Sequence, residues 1–141
     1  MKTPWHLWVI GAVTLLWNSG GAFDYYMTQS ADETYLSAFT PEQLAYFQGF
    51  PVWVDAAWAV GVWLALIGSF LLLFRSRHAV TAFALSFLGM VATSVYGFFL
   101  SGVSLAELMG PGMLWFTAAI LVVGLLLVIY ARAMRGRGVL R

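Results

Sequence analysis

Four long apolar runs, residues 4–27, 51–74, 79–100 and 111–131, take up most of this chain. A helix needs about 20 mainly apolar residues to cross a hydrocarbon core of about 30 Å, and each run is long enough. Inside hydrocarbon the backbone must satisfy its own hydrogen bonds, so such runs form helices. The expected fold is therefore all-α: a polytopic membrane protein whose four transmembrane helices form an antiparallel bundle, a single membrane domain over residues 1–141. Composition agrees, with 62% hydrophobic and 9% charged residues, against about 25% charged in a soluble domain. Pro4, Pro51 and Pro111 open three of the runs, at the first helical position where the missing N–H costs nothing, and Thr3 is a natural N-cap.

Charge orients the bundle. Lys2, Arg75, Arg77, Arg132, Arg135, Arg137 and Arg141 fall at the amino terminus, in the link between the second and third spans, and in the tail 132–141. Asp24, Asp32, Glu33, Glu42, Asp55 and Glu107 fall in the 28–50 loop, at the span ends flanking it, and in the third connection. The positive-inside rule puts the basic face in the cytoplasm, so both termini are expected there, in a bacterial inner membrane. His6 and His78 belong to the basic side. Residues 1–22 also have the outline of a secretory signal, with Lys2, an apolar stretch, and Gly20 and Ala22 as small residues. Its removal would leave three spans and an external amino terminus, so it is expected to be retained.

The 28–50 loop predicts two short helices. Ser30 with Glu33 and Thr40 with Gln43 have capping-box spacing, and Pro41 suits a first helical turn. Tyr35, Leu36, Phe39, Leu44, Tyr46 and Phe47 give these helices an apolar face. They form either a lid over the helix ends or a loop that binds a ligand or partner.

Lipid supplies no hydrophobic force between helices, so close backbone approach at small residues must hold them together. Gly11 in the first run, Ala57, Gly61 and Ala65 in the second, and Ser86, Gly89 and Gly97 in the third mark the inward faces. The fourth run is plainer, with Ala118 or Ala119 and Gly124 interrupting Leu, Val and Ile, and is expected to have the largest lipid-facing or partner-facing share. Most of the seven Trp and six Tyr suit the interfacial belts. Trp17 and Trp63 lie deeper, where an indole N–H wants a partner: a carbonyl, another subunit or a planar ring.

Asp24 and Asp55 each lie about one turn inside the outer end of a span, on neighbouring antiparallel helices. Carboxylates at membrane depth are costly and often functional, and two within reach of each other can share a proton or hold a cation. Asn18, deeper in the first span, would extend a polar track inward. The alternative is that both acids reach headgroup water, with Asp55 favoured by a helix N-terminus.

No cysteine is present, which removes disulfides and thiolate chemistry. The net charge of +1 gives no nucleic-acid footprint. His–Glu metal clusters, Gly-rich phosphate loops and Ser–His–Asp sets are missing, and the spans hold no paired histidines for haem. No cofactor, metal or catalytic residue is expected.

Leu16-Trp17-Asn18, Asp24-Tyr25 followed by a Met, Gly49-Phe50-Pro51 with Trp53, then Gly61, Gly68 and a Leu-rich run closing on Arg75 resemble an uncharacterised group of small four-span proteobacterial inner-membrane proteins, some carrying sugar-transporter labels. The resemblance covers residues 15–100 and implies the same four-span topology. It supplies no site residues, and His78 stands where the pattern has a Trp. Two function classes remain. One is a non-catalytic accessory or structural subunit packing against a larger membrane complex, with lipids, other membrane subunits or its own copies as partners. The other is a small transporter or channel using Asp24, Asp55 and Asn18 as a proton or cation site.

Overall fold

The computed structural model describes residues 3–30 and 32–141, apart from the side chain of Ala106; Lys2, assigned above to the basic side, lies outside them. The described residues are helical throughout, with turns between: α1 Trp5–Gln29, α2 Glu33–Leu36, α3 Pro41–Gln48, α4 Val52–Leu73, α5 His78–Val95 continuing into a π-turn Tyr96–Leu100, α6 Leu105–Met109 and α7 Gly112–Gly136. Three helical segments are long and apolar enough to cross a membrane: Val52–Leu73, His78–Leu100 and Gly112–Gly136. At 25 residues α1 matches them in length, but His6, Asn18 and Asp24 make it more polar.

The long helices pack in chain order, α1 on α4, α4 on α5 and α5 on α7. Small residues set the distances. A Cβ on Gly89 would lie 2.6 Å from the Ala57 carbonyl oxygen and 2.9 Å from the Gly61 nitrogen, so α4 and α5 touch backbone to backbone. One on Gly11 would strike Leu73 at 2.5 Å, and Met90 Cγ lies 3.2 Å from the Gly61 position. Ser86 donates to the Gly61 carbonyl at 2.5 Å, a bond between helices instead of back along its own. Gly97 serves a different contact: its face is covered by Leu105 of α6 and the Tyr46 hydroxyl of α3, so it seats the outer segments and not a second span.

Several boundaries differ from the sequence expectation. Pro4, Pro51 and Pro111 are N-caps, one position before the first helical residue, and none caps by a side chain. Thr3 accepts a hydrogen bond from Arg75 Nη1 instead of capping α1. In the loop, Thr40 and Gln43 form the expected capping box, whereas α2 is capped by Asp32, whose carboxylate accepts from the Tyr35 N–H at 2.8 Å. Ser30 is the C-cap of α1, because α1 runs past 27 to Gln29. The third connection holds α6, which fits no apolar run. Its N-cap Ser104 accepts from the Glu107 N–H.

The largest departure is the tail. α7 continues five residues beyond 131, to Gly136, and then the chain folds back. Gly138 turns it at φ +77°, and Val139 and Leu140 are buried against Leu7, Leu72, Ala79 and Met134. The Arg141 N–H donates to the Arg75 carbonyl at 2.9 Å, and the Arg77 N–H donates to the Arg141 carbonyl at 3.1 Å. The core is therefore thickest at the basic end of the bundle, not at its middle.

Candidate functional site

Small residues let α1 lie against α4 in one continuous register, and that register fixes where the polar side chains go. Gly11 meets Leu73 and Gly21 meets Val62, the Tyr25 ring stands edge-on to Trp58 at 4.9 Å, and Gln29 reaches Asp55. Gln29 is thus the α1 residue level with Asp55. Asp24 is five positions earlier, about 7 Å deeper along the axis and about 140° around it.

The two acids consequently have separate donors. Asp55, in the first turn of α4, accepts from Gln29 Nε2 at 3.1 Å and gains from the positive end of the helix dipole. Asp24 accepts from the Tyr35 hydroxyl of α2. Burial, reinforced by the hydrogen bond and by the nearby Asp24 charge, pushes the Tyr35 phenol up to about 12. The expected pair at similar depth is not formed.

Asn18 is not a continuation of that site. It is 95% buried, being 5% exposed. Its Nδ2 donates to the Ala65 carbonyl at 3.1 Å and to Ser69 Oγ at 2.8 Å, fastening α1 to α4. Beside it the four long helices leave a space of about 10 Å³, lined by Trp17, Asn18, Ser86, Met90 and Gly124 among others. That is barely the volume of one water.

Trp17 and Trp63 are 43% and 38% exposed on the lateral surface. The Trp17 ring lies 6.5 Å from Phe116 of α7, and the Trp63 ring lies 6.2 Å from Tyr25. Among the described residues neither indole N–H has an acceptor.

Above α4 and α5 the loop rings close over the bundle. Phe47 and Phe50 pack on Trp58, and Phe50 and Trp53 on Tyr96, at centroid distances of 5.6–6.2 Å. Tyr46 is pushed up to about 12, chiefly by burial and then by Tyr96. Gln43 donates to the Leu108 carbonyl at 2.9 Å, tying α3 to α6. The loop is a stacked cover and not an open arm.

On the lateral surface α5 and α7 leave a cleft of about 510 Å³ toward the acidic end, walled by Val91, Val95, Phe98, Leu114, Thr117 and Leu121. The π-turn lies at its mouth, closed by a bond from the Ser101 N–H to the Tyr96 carbonyl at 2.7 Å. In the sequence this feature shows only as the plainness of the last span. The Tyr35–Asp24 and Gln29–Asp55 partnerships have no sequence signal, because each depends on how the loop and α4 return to α1. Among the described residues no group of three or more His, Asp or Glu side chains comes together as a metal site. No protein-family model, curated protein or solved structure matches the chain.

Proposed function

We propose that this chain is a non-catalytic membrane protein that works as an accessory or structural subunit, packing against a partner within a larger membrane complex. The observation that carries this reading is the α5–α7 cleft. It is apolar, lateral and about 510 Å³ in volume, and it lies beside the exposed Leu114, Trp115 and Phe116, so it suits side chains of a helix from another subunit. Trp17 and Trp63 add two indole N–H groups on the lateral surface that a neighbouring carbonyl would satisfy. The test is a photo-cross-linker at Ala118, in the cleft, in native membranes. Stoichiometric cross-linking to one other membrane protein supports the reading; cross-linking to lipid alone overturns it.

The same reading takes α1 as a fourth span. Its 25 residues rise about 37 Å, and it follows α4 from Gly11–Leu73 to Gln29–Asp55, so the two helices cover the same thickness. Both termini then lie on the basic side, which the positive-inside rule assigns to the cytoplasm of a bacterial cell. With no native cysteine, single cysteines at Ser30 and Ser76 test this directly. An impermeant thiol reagent should label the first from outside and the second only after lysis.

The transporter reading has less support, because Asn18 is engaged with α4 and the space beside it would admit no solute. Its test is Asp55→Asn in vesicles that show proton- or cation-dependent flux. Flux that survives the change removes the carboxylate mechanism.

A further inference from the structure

We propose that the basic end of the bundle is a binding site for the phosphodiester headgroup of an anionic phospholipid, with Arg77 and Arg141 as its ligands and Arg75 as a positioning residue. This surface lies at the opposite end of the bundle from the acidic mouth of the α5–α7 cleft and does not depend on a partner subunit.

Three observations converge on it. The first is that the arginines are placed by structure and do not hang from a loose tail. Arg75 adopts φ +58°, an unusual backbone for a residue with a side chain. Its carbonyl and the Arg77 N–H clasp the two sides of the Arg141 peptide, and Val139 and Leu140, 4% and 3% exposed, anchor that clasp in the core. Arg75 Nη1 is further tied to Thr3 at 2.5 Å, which joins the start of the chain to the same corner. Arg77 and Arg141 stay exposed, and the Arg77 N–H bond to the Arg141 carbonyl at 3.1 Å holds their backbones side by side.

The second is the lack of any carboxylate side chain to neutralise them. All six acids of the sequence, Asp24, Asp32, Glu33, Glu42, Asp55 and Glu107, belong to the other end of the bundle or its loops. With Arg132, Arg135 and Arg137 also exposed at this end, even one terminal carboxylate would leave the patch strongly positive. Guanidinium forks carried on an ordered backbone, with no carboxylate side chain beside them, match phosphate oxygens two at a time.

The third is depth. Arg75 and Arg77 come directly after the end of α4, where Phe74 is 77% exposed, and Trp5 at the start of α1 is 75% exposed at the same end. An exposed Trp marks the headgroup boundary, so arginines just beyond the end of α4, at the same end as Trp5, are at a depth where lipid phosphates lie.

The test uses the full chain in a neutral detergent and measures bound lipid by native mass spectrometry. Phosphatidylglycerol and phosphatidylcholine with the same acyl chains are offered, each with and without inorganic phosphate. Phosphatidylglycerol should be retained preferentially, and inorganic phosphate should not displace it. Arg77→Gln and Arg141→Gln should each weaken retention about fivefold, while Asp55→Asn at the far end should leave it unchanged. Both Arg changes are at exposed positions, and thermal unfolding without lipid checks that the fold is intact. Equal retention of the two lipids, or retention unaffected by either Arg change, overturns the proposal. Full displacement by inorganic phosphate overturns it in favour of a free anion site.

Discussion

Asn18 and Ser69 meet at 2.8 Å where α1 crosses α4. The Asn18 amide donates to the Ser69 hydroxyl, which in turn donates to the Ala65 carbonyl at 3.2 Å, while the same amide also donates to that carbonyl at 3.1 Å. The polar groups in this part of the interior are therefore used between and along helices. Asn18→Leu keeps most of the volume and removes the two interhelical bonds, and Ser69 keeps its partner. Bonds of this kind contribute about 0.6 kcal/mol on average and about 1.7 at most between membrane helices. For the two bonds together, unfolding in mixed micelles should show a loss of about 1–3 kcal/mol, and a much larger one would mean that Asn18 has a role beyond joining α1 to α4.

Glycine substitutions should divide sharply by what stands opposite. Gly89→Ala directs a methyl at the Ala57 carbonyl and the Gly61 nitrogen, inside 3.0 Å of both, and backbone cannot swing aside. Gly20 has nothing within 4 Å. Overpacking costs about 1–3 kcal/mol, so Gly89→Ala should lower the detergent melting temperature clearly. Gly20→Ala should leave it unchanged or raise it, since Ala is the better helix former by about 1 kcal/mol. Equal effects would mean that α4 and α5 do not touch at Gly89.

Which parts of this arrangement the sequence made legible follows from the range of each interaction. The long helices are written in hydropathy, a local property, and the Thr40–Gln43 capping box is a local pair that forms as its spacing predicts. Gly61, Gly89 and Ser86 were legible because a membrane helix has few reasons to carry small residues other than close packing. Asp24 and Asp55 were legible as unusual, but their partners were not. Whether two acids on antiparallel helices face each other depends on the register, and here α1 sets Gln29 opposite Asp55. The folded-back tail was the hardest to read, because Val139 and Leu140 are too short a run to register beside helices of twenty residues or more.

The loop phenols give a pH signature. Tyr35 is raised from 10.0 to about 12, by burial first and then by Asp24. A phenol whose folded pKa lies above its unfolded value favours the folded form fully below pH 10. That contribution is lost as pH climbs from the unfolded value of 10.0 toward about 12, since only the unfolded chain gives up its proton readily there. Ultraviolet titration should show Tyr35 and Tyr46 ionising late. Tyr35→Phe should remove one late phenol, and Asp24→Asn should bring Tyr35 earlier. An unchanged titration in Asp24→Asn would break the assignment of α2 to Asp24.

The tail clasp makes its own prediction, since it depends on one backbone conformation. Gly138 at φ +77° is the turn that returns Val139 and Leu140 to the core, and a β-branched side chain at positive φ is strongly disfavoured. Gly138→Val should therefore release residues 138–141 without touching the long helices. Val139 and Leu140, both nearly fully buried, would lose their contacts with Leu7 and Leu72. Burying a Val or Leu side chain stabilises by about 1.5–3 kcal/mol, so the variant should melt earlier. Trypsin should also cut faster after Arg135 and Arg137, because a protease needs an extended strand and the intact chain holds this segment in a helix end and a turn. Unaltered cleavage with unaltered melting would mean that the tail is not docked. Faster cleavage alone would mean that it docks without adding stability.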